Sequence, residues 1–212
     1  MGPRTESLLS ILKLQPVVPV LIIEDARTAV PLARALVAGG LKAIEITMRT
    51  EAALEAVRLV AAEVEGAEVG AGTILNAAHF EAAVAAGSKF IVSPGTTQEL
   101  LDAARGSSVP LLPGAATASE VMALREEGYS VLKFFPAEQA GGAAYLKALS
   151  SPLAGIQFCP TGGISLKNAK DYLSLPNVIC IGGSWVAPKE LIAAGDLAGI
   201  TKLASEAFAL TA

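Results

Sequence analysis

Lys133 stands inside the apolar run Val131-Leu132-Lys133-Phe134-Phe135-Pro136, where a packed strand would ordinarily carry an aliphatic side chain. Lys42 and Lys89 fall where strands begin, and the remaining lysines lie in predicted helices or loops. Alternation puts Val131 and Phe135 on the face of Lys133. Desolvation there disfavours the ammonium form, and a nearby Arg49 would disfavour it further. A neutral amine is what attack on a ketone carbonyl requires. Two plainer readings stand beside this one: a lysine that snorkels to the rim, or one that pairs with Glu45 for structure.

Ala43-Ile44-Glu45-Ile46-Thr47-Met48-Arg49 carries the second polar set. Its alternation places Glu45, Thr47 and Arg49 on one face and Ile44, Ile46 and Met48 on the other, where helices would cover them. A carboxylate in mid-strand is costly to desolvate unless it is paired or working. The structural alternative is a Glu45–Arg49 ion pair. Gly70-Ala71-Gly72-Thr73 ends another strand; glycines there let something approach the backbone, or simply make a tight turn, and Thr73 adds a hydroxyl. Ser93-Pro94-Gly95 and Pro113-Gly114 read as rigid pocket walls. Thr161-Gly162-Gly163 and Gly182-Gly183-Ser184 end the last two strands, where barrels often bind phosphate on backbone N–H groups at a helix N-terminus. Ser184 would add a hydroxyl donor.

These residues need a scaffold that brings strand ends together. Strand-like runs alternate with helical ones: Val17–Ile23 then Ala26–Ala38, Ala43–Met48 then Glu51–Val64, Glu68–Thr73 then Ala77–Ala86, and Phe90–Ser93 then Thr97–Ala104. Val109–Pro113 with Ala118–Glu127, Ser130–Phe135 with Gly142–Leu149, and Gln157–Thr161 with Lys167–Leu173 continue the pattern. Val178–Gly182 opens the last unit, with helical sequence after Pro188 and over Asp196–Leu210. Glu6–Leu14 reads as an extra N-terminal helix across a barrel floor. Gly39-Gly40 stops the first helix, Thr50 is the expected cap of the second, and Thr117 or Ser119 of the fifth. Eight units in 212 residues predict an α/β fold, a single-domain TIM (β/α)8 barrel over residues 1–212. An open doubly wound sheet is the alternative.

The bulk composition narrows the function classes. Hydrophobic residues make up 52 % and aromatics 5 %, which suits helices on a parallel sheet. The net charge is −4 with scattered Lys and Arg, so no nucleic-acid partner is expected. The opening segment does not read as a signal peptide, and no apolar run reaches membrane-span length, so a cytoplasmic protein without a membrane partner is expected. Cys159 and Cys180 sit in apolar runs and read as buried free thiols. His79 is the single histidine and falls on a predicted helix, which leaves no transition-metal set and no Ser–His–acid set. No metal and no cofactor are expected.

Ile44-Glu45-Ile46-Thr47-Met48-Arg49-Thr50, Gly70-Ala71-Gly72-Thr73, Ser93-Pro94-Gly95, Lys133-Phe134-Phe135-Pro136, Cys159-Pro160-Thr161-Gly162-Gly163-Ile164 and Gly182-Gly183-Ser184-Trp185, in this order and spacing, resemble the 2-keto-3-deoxy-6-phosphogluconate aldolase family. That family often also acts on 4-hydroxy-2-oxoglutarate. The resemblance implies a metal-free class I aldolase, a homotrimer, acting on a small phosphorylated keto acid and releasing pyruvate. It implies Lys133 as the Schiff-base lysine and Glu45 as general acid/base. Arg49 and Thr73 would bind the pyruvyl carboxylate with Thr161 nearby. Gly162, Gly163, Gly183 and Ser184 would hold phosphate, and Pro94, Pro113 and Phe135 would line the pocket. One departure is visible: Ala115 and Ala116 stand where the family pattern has a bulkier aliphatic and a serine, which bears on fine substrate preference. Rival functions are the phosphogalactonate-specific aldolase, a phosphosugar isomerase or epimerase, and a non-catalytic phosphometabolite-binding barrel.

Overall fold

The structure is a computed structural model that describes residues 3–210; Met1, Gly2, Thr211 and Ala212, the ends of the expected domain, lie outside the described residues. Strands and helices alternate along it. In order they are α1 (Pro3–Leu12), β1 (Val17–Leu21), α2 (Ala29–Ala38), β2 (Ala43–Thr47), α3 (Ala53–Glu63), β3 (Glu68–Gly72) and α4 (Ala77–Ala85). Then come β4 (Ile91–Val92), α5 (Gln98–Arg105), β5 (Leu111–Leu112), β6 (Gly114–Ala115), α6 (Ala118–Glu126) and β7 (Val131–Phe134). The chain ends through α7 (Gly142–Leu149), β8 (Gln157–Pro160), α8 (Ala169–Leu173), β9 (Ile181–Gly183), α9 (Lys189–Ala194) and α10 (Leu197–Phe208).

Every strand pairing is parallel. The result is an α/β fold with a curled parallel sheet, hydrogen-bonded in two runs, β5-β4-β3-β2-β1-β9 and β6-β7-β8. The expected fifth strand is where the runs change over. Leu111 and Leu112 pair with β4, Gly114 and Ala115 pair with β7, and Pro113 lies between them. Proline has no N–H to give a ladder, so the pairing breaks there. Its carbonyl still accepts from Lys133 N–H at 2.9 Å. At the other junction single bridges, Phe158 to Val178 and Thr161 to Gly182, link β8 to the segment around β9.

The alternation read from the sequence sorts side chains into two apolar clusters. Ile44 and Ile46 join Leu132, Phe134 and the helix residues Leu32, Val57 and Val60 in an outer cluster between sheet and helices. Ala43, Val131, Cys159 and Cys180 join Val18, Val92 and Leu112 in an inner one. Leu8, Leu9, Ile11 and Leu12 of α1 pack on that inner cluster. A ten-residue helix is marginal alone, so α1 owes its stability to this burial, about 1.5–3 kcal/mol per large side chain.

Several boundaries depart from the sequence reading. The N-terminal helix starts at Pro3 and stops at Leu12 rather than running Glu6–Leu14, because proline is well tolerated in a first helical turn. The helix expected over Ala26–Ala38 opens as a 3-10 turn at Ala26–Thr28, capped by Asp25. Thr50 does not cap the next helix. Its hydroxyl donates to the Ile23 carbonyl, and α3 begins after Ala52 with no side-chain cap. Thr117 does cap α6, in a capping box with Glu120.

Candidate active site

β2 and β7 belong to different hydrogen-bonded runs, yet their inward faces meet. Lys133 Nζ donates to Glu45 Oε1 at 3.2 Å, with the two side chains only 5 % and 4 % exposed. Burial excludes a lysine snorkelling to the rim. The alternative Glu45–Arg49 ion pair is not formed. Arg49 is exposed at the end of β2 and its Nε donates to Thr73 Oγ1 at 3.1 Å. Replacing a buried ion pair by apolar residues is often neutral or stabilising, so the pair is weak evidence for a structural role. The Phe135 ring centroid lies 5.5 Å from Lys133 Nζ, within cation–π range.

The two glycines of Gly70-Ala71-Gly72-Thr73 have different tasks. A Cβ on Gly72 would lie 1.9 Å from Glu45 Oε1, whereas one on Gly70 would lie 2.6 Å from the Phe90 ring. Gly72 therefore makes room for the carboxylate and Gly70 for core packing. Thr73 has φ of 59°, a left-handed conformation that is costly for a β-branched residue. The hydroxyl of this strained residue is the one that accepts from Arg49.

Pro94 is half-buried, and its backbone lies against Gly114, where a Cβ would come within 2.3 Å of the Pro94 carbonyl carbon. Pro113 is buried at the changeover between the two sheet runs. The bridge from Thr161 to Gly182 lays the two glycine loops side by side. Thr161 is buried, with Oγ1 in the space that a Cβ on Gly182 would need, 2.2 Å away. Gly162 and Gly163 have φ of 107° and 75°, open to glycine alone without strain. Gly183 accommodates the Trp185 ring, 2.0 Å from its would-be Cβ, while Ser184 is exposed. One expectation fails here: α8 starts at Ala169 and α9 at Lys189, each several residues beyond its glycine loop. The N–H groups near these loops therefore belong to the turns rather than to a helix N-terminus.

Sequence reasoning missed three residues behind the first loop. Glu138, in the turn after β7, accepts from the Tyr172 hydroxyl, and Asn168 Nδ2 donates to the Gly163 carbonyl at 3.3 Å. Burial, reinforced by the bond to Glu138, pushes the Tyr172 phenol well above its ordinary range. The only sequence hint was a tyrosine on a short helix, which does not name its partner.

Elsewhere the chemistry is thinner. His79 is exposed on α4. Cys159 and Cys180 are buried and free, and the hydrogen bond that the Cys180 thiol donates to Cys159 Sγ, then burial, raises the Cys180 thiol. Among the described residues no group of three or more His, Cys, Asp or Glu is placed to hold a metal ion. A cavity of about 260 Å³ opens beside Arg4, Arg105, Tyr129 and Val131, and none of the candidate site residues lines it.

The family model for KDPG and KHG aldolase (acting on the phosphogluconate and 4-hydroxy-2-oxoglutarate substrates named above) matches residues 8–203. The chain belongs to the KDPG and KHG aldolase family. A 2-dehydro-3-deoxy-phosphogluconate aldolase of Dickeya dadantii (strain 3937) is 51 % identical over 199 residues, covering 94 % of this chain and 93 % of the relative. Two solved KDPG aldolases share the fold. That of Legionella pneumophila, with pyruvate captured at low pH as a covalent carbinolamine intermediate, has a TM-score of 0.93 at 44 % identity and covers 95 % of this chain and 98 % of its own. That of Zymomonas mobilis ZM4, with 3-phosphoglycerate, has a TM-score of 0.92 at 47 % identity and covers 98 % and 97 %. This KDPG and KHG aldolase family member has no helix among its described residues long and apolar enough to cross a membrane.

Proposed function

We propose that this chain cleaves 2-keto-3-deoxy-6-phosphogluconate to pyruvate and glyceraldehyde 3-phosphate through a Schiff base on Lys133. The observation that carries the reading is the Lys133 amine, buried 3.2 Å from the Glu45 carboxylate. In this reading Glu45 takes the proton that frees the amine. The amine adds to the C2 ketone, and Glu45 returns its proton to the carbinolamine hydroxyl, which leaves as water to give an iminium and the Glu45 carboxylate. The C3–C4 bonding electrons flow into that iminium while Glu45, directly or through one water, removes the C4 hydroxyl proton. Glyceraldehyde 3-phosphate leaves and an enamine remains. Glu45 returns a proton to C3, and hydrolysis frees pyruvate and the amine.

In this reading Arg49 and Thr73, with Thr161 nearby, hold the pyruvyl carboxylate. Gly162, Gly163, Gly183 and Ser184 hold the phosphate, and Pro94, Pro113 and Phe135 line the pocket. The family name supports a second substrate, 4-hydroxy-2-oxoglutarate, cleaved to pyruvate and glyoxylate. The scaffold in this reading is one closed (β/α)8 barrel over residues 1–212. Its support is the continuity of β5 and β6 across Pro113, the bridges from β8 toward β9, and an inner cluster drawn from both sheet runs. The family resemblance supports a cytoplasmic homotrimer. Pyruvate and borohydride together test the chemistry: a reduced pyruvyl group should appear on Lys133 by peptide mapping. An adduct on another residue, or none, overturns it.

A further inference from the structure

Two glycines in the left-handed region do not hold themselves in place, since glycine loses the most conformational freedom on ordering. The Gly162-Gly163 turn is braced from two sides. On one side is the turn after β7. Ala137 N–H donates to the Thr161 carbonyl at 2.8 Å, and Glu138 N–H to the Gly162 carbonyl at 3.1 Å. The Glu138 side chain lies against Gly163 so closely that a Cβ there would come within 2.7 Å of its Cβ and Cγ. On the other side is α8. Asn168, just before it, donates to the Gly163 carbonyl, and Tyr172, fully buried within it, donates to Glu138 Oε1. The Tyr172 hydroxyl thus ties α8 to the residue that fills the space behind the loop. Gly142, at the start of α7, backs the same pair, with Glu138 Oε1 and the Tyr172 oxygen each 3.5 Å from its would-be Cβ.

We propose that Glu138 and Tyr172 are positioning residues that hold the Gly162-Gly163 turn in its anion-binding shape and so set affinity for the substrate's phosphate. The proposal rests on the reading that this turn holds phosphate. Neither residue acts on the reacting carbons. The pair lies on the loop side of the site, and Lys133 is held by Glu45 independently of it. Loss of the hydroxyl removes the donor that holds the exposed Glu138 carboxylate behind the loop and frees the turn to sample other shapes, worth about tenfold in affinity.

Tyr172→Phe tests this without removing the ring. The KM for 2-keto-3-deoxy-6-phosphogluconate and the inhibition constant of inorganic phosphate should each rise about tenfold. At saturating substrate, kcat should change less than twofold, as should the rate of Lys133 labelling by pyruvate and borohydride. Glu138→Ala should behave alike. Glu138→Gln should restore most of the affinity, because its amide oxygen still accepts the phenol. Ser184→Ala is the reference for the phosphate reading. If Ser184→Ala weakens phosphate binding and Tyr172→Phe does not, the positioning role is wrong and the phosphate reading stands. If neither changes it, the phosphate reading itself falls. Equal slowing of pyruvate labelling in Tyr172→Phe would reduce the pair to general structural support and overturn the proposal.

Discussion

The Glu45 carboxylate occupies the space that any side chain at position 72 would need: a Cβ on Gly72 would meet Oε1 at 1.9 Å and Cδ and Cγ at 2.6 Å. The obstacle is the end of a side chain rather than backbone, so Gly72→Ala should fold while displacing the carboxylate from Lys133. A shift of about 1 Å in a reacting group costs on the order of 10²-fold in rate. The expected outcome is a kcat reduced to that extent, with the circular dichroism spectrum unchanged. Full activity would mean that the observed position of Glu45 is not the working one.

Lys133 and Glu45 separate a structural pair from a working one. Lys133→Ala removes one partner and leaves a buried carboxylate, so urea unfolding at pH 7 should show a loss of about 3 kcal/mol, together with no pyruvate adduct. The double variant Glu45→Gln/Lys133→Met should regain most of that stability and remain inactive. If the double variant is as unstable as the single one, the pair serves the fold rather than the chemistry.

Thr73 holds a backbone conformation that glycine adopts freely, and its hydroxyl meets Arg49. Thr73→Gly should relieve about 1 kcal/mol of strain while removing the hydroxyl from the candidate carboxylate corner. A gain in thermal stability accompanied by a higher KM for pyruvate in the labelling reaction is the expected combination.

The buried Tyr172 phenol, raised above its ordinary 10.0 by burial and by Glu138, couples the α8 brace to pH. A folded-state pKa above the unfolded one means that the folded chain holds the proton more tightly. The corresponding stability is complete below the unfolded value and is lost as pH rises past it. Melting curves from pH 8 to pH 11 should therefore fall more steeply for the natural chain than for Tyr172→Phe. Parallel curves would show that the phenol contributes no such linkage.

Short-range pattern decided much by itself. Alternation over a few residues sorted Ile44 and Ile46 from Glu45 and Thr47, because side chains two apart must share a face whatever the strand pairs with. The inward polar residues, the glycine loops and the family were legible for the same reason: each is a matter of residue type and spacing along the chain. Tertiary structure alone decided the partners. Glu45 meets Lys133, 88 positions away, instead of Arg49 on its own strand, since the curl of the sheet aims β2 and β7 at each other. The loss of the ladder at Pro113, the division of labour between Gly70 and Gly72, and the Glu138–Tyr172 brace likewise depend on register and depth. No local spacing encodes those, because they are properties of surfaces brought together only when the chain is packed.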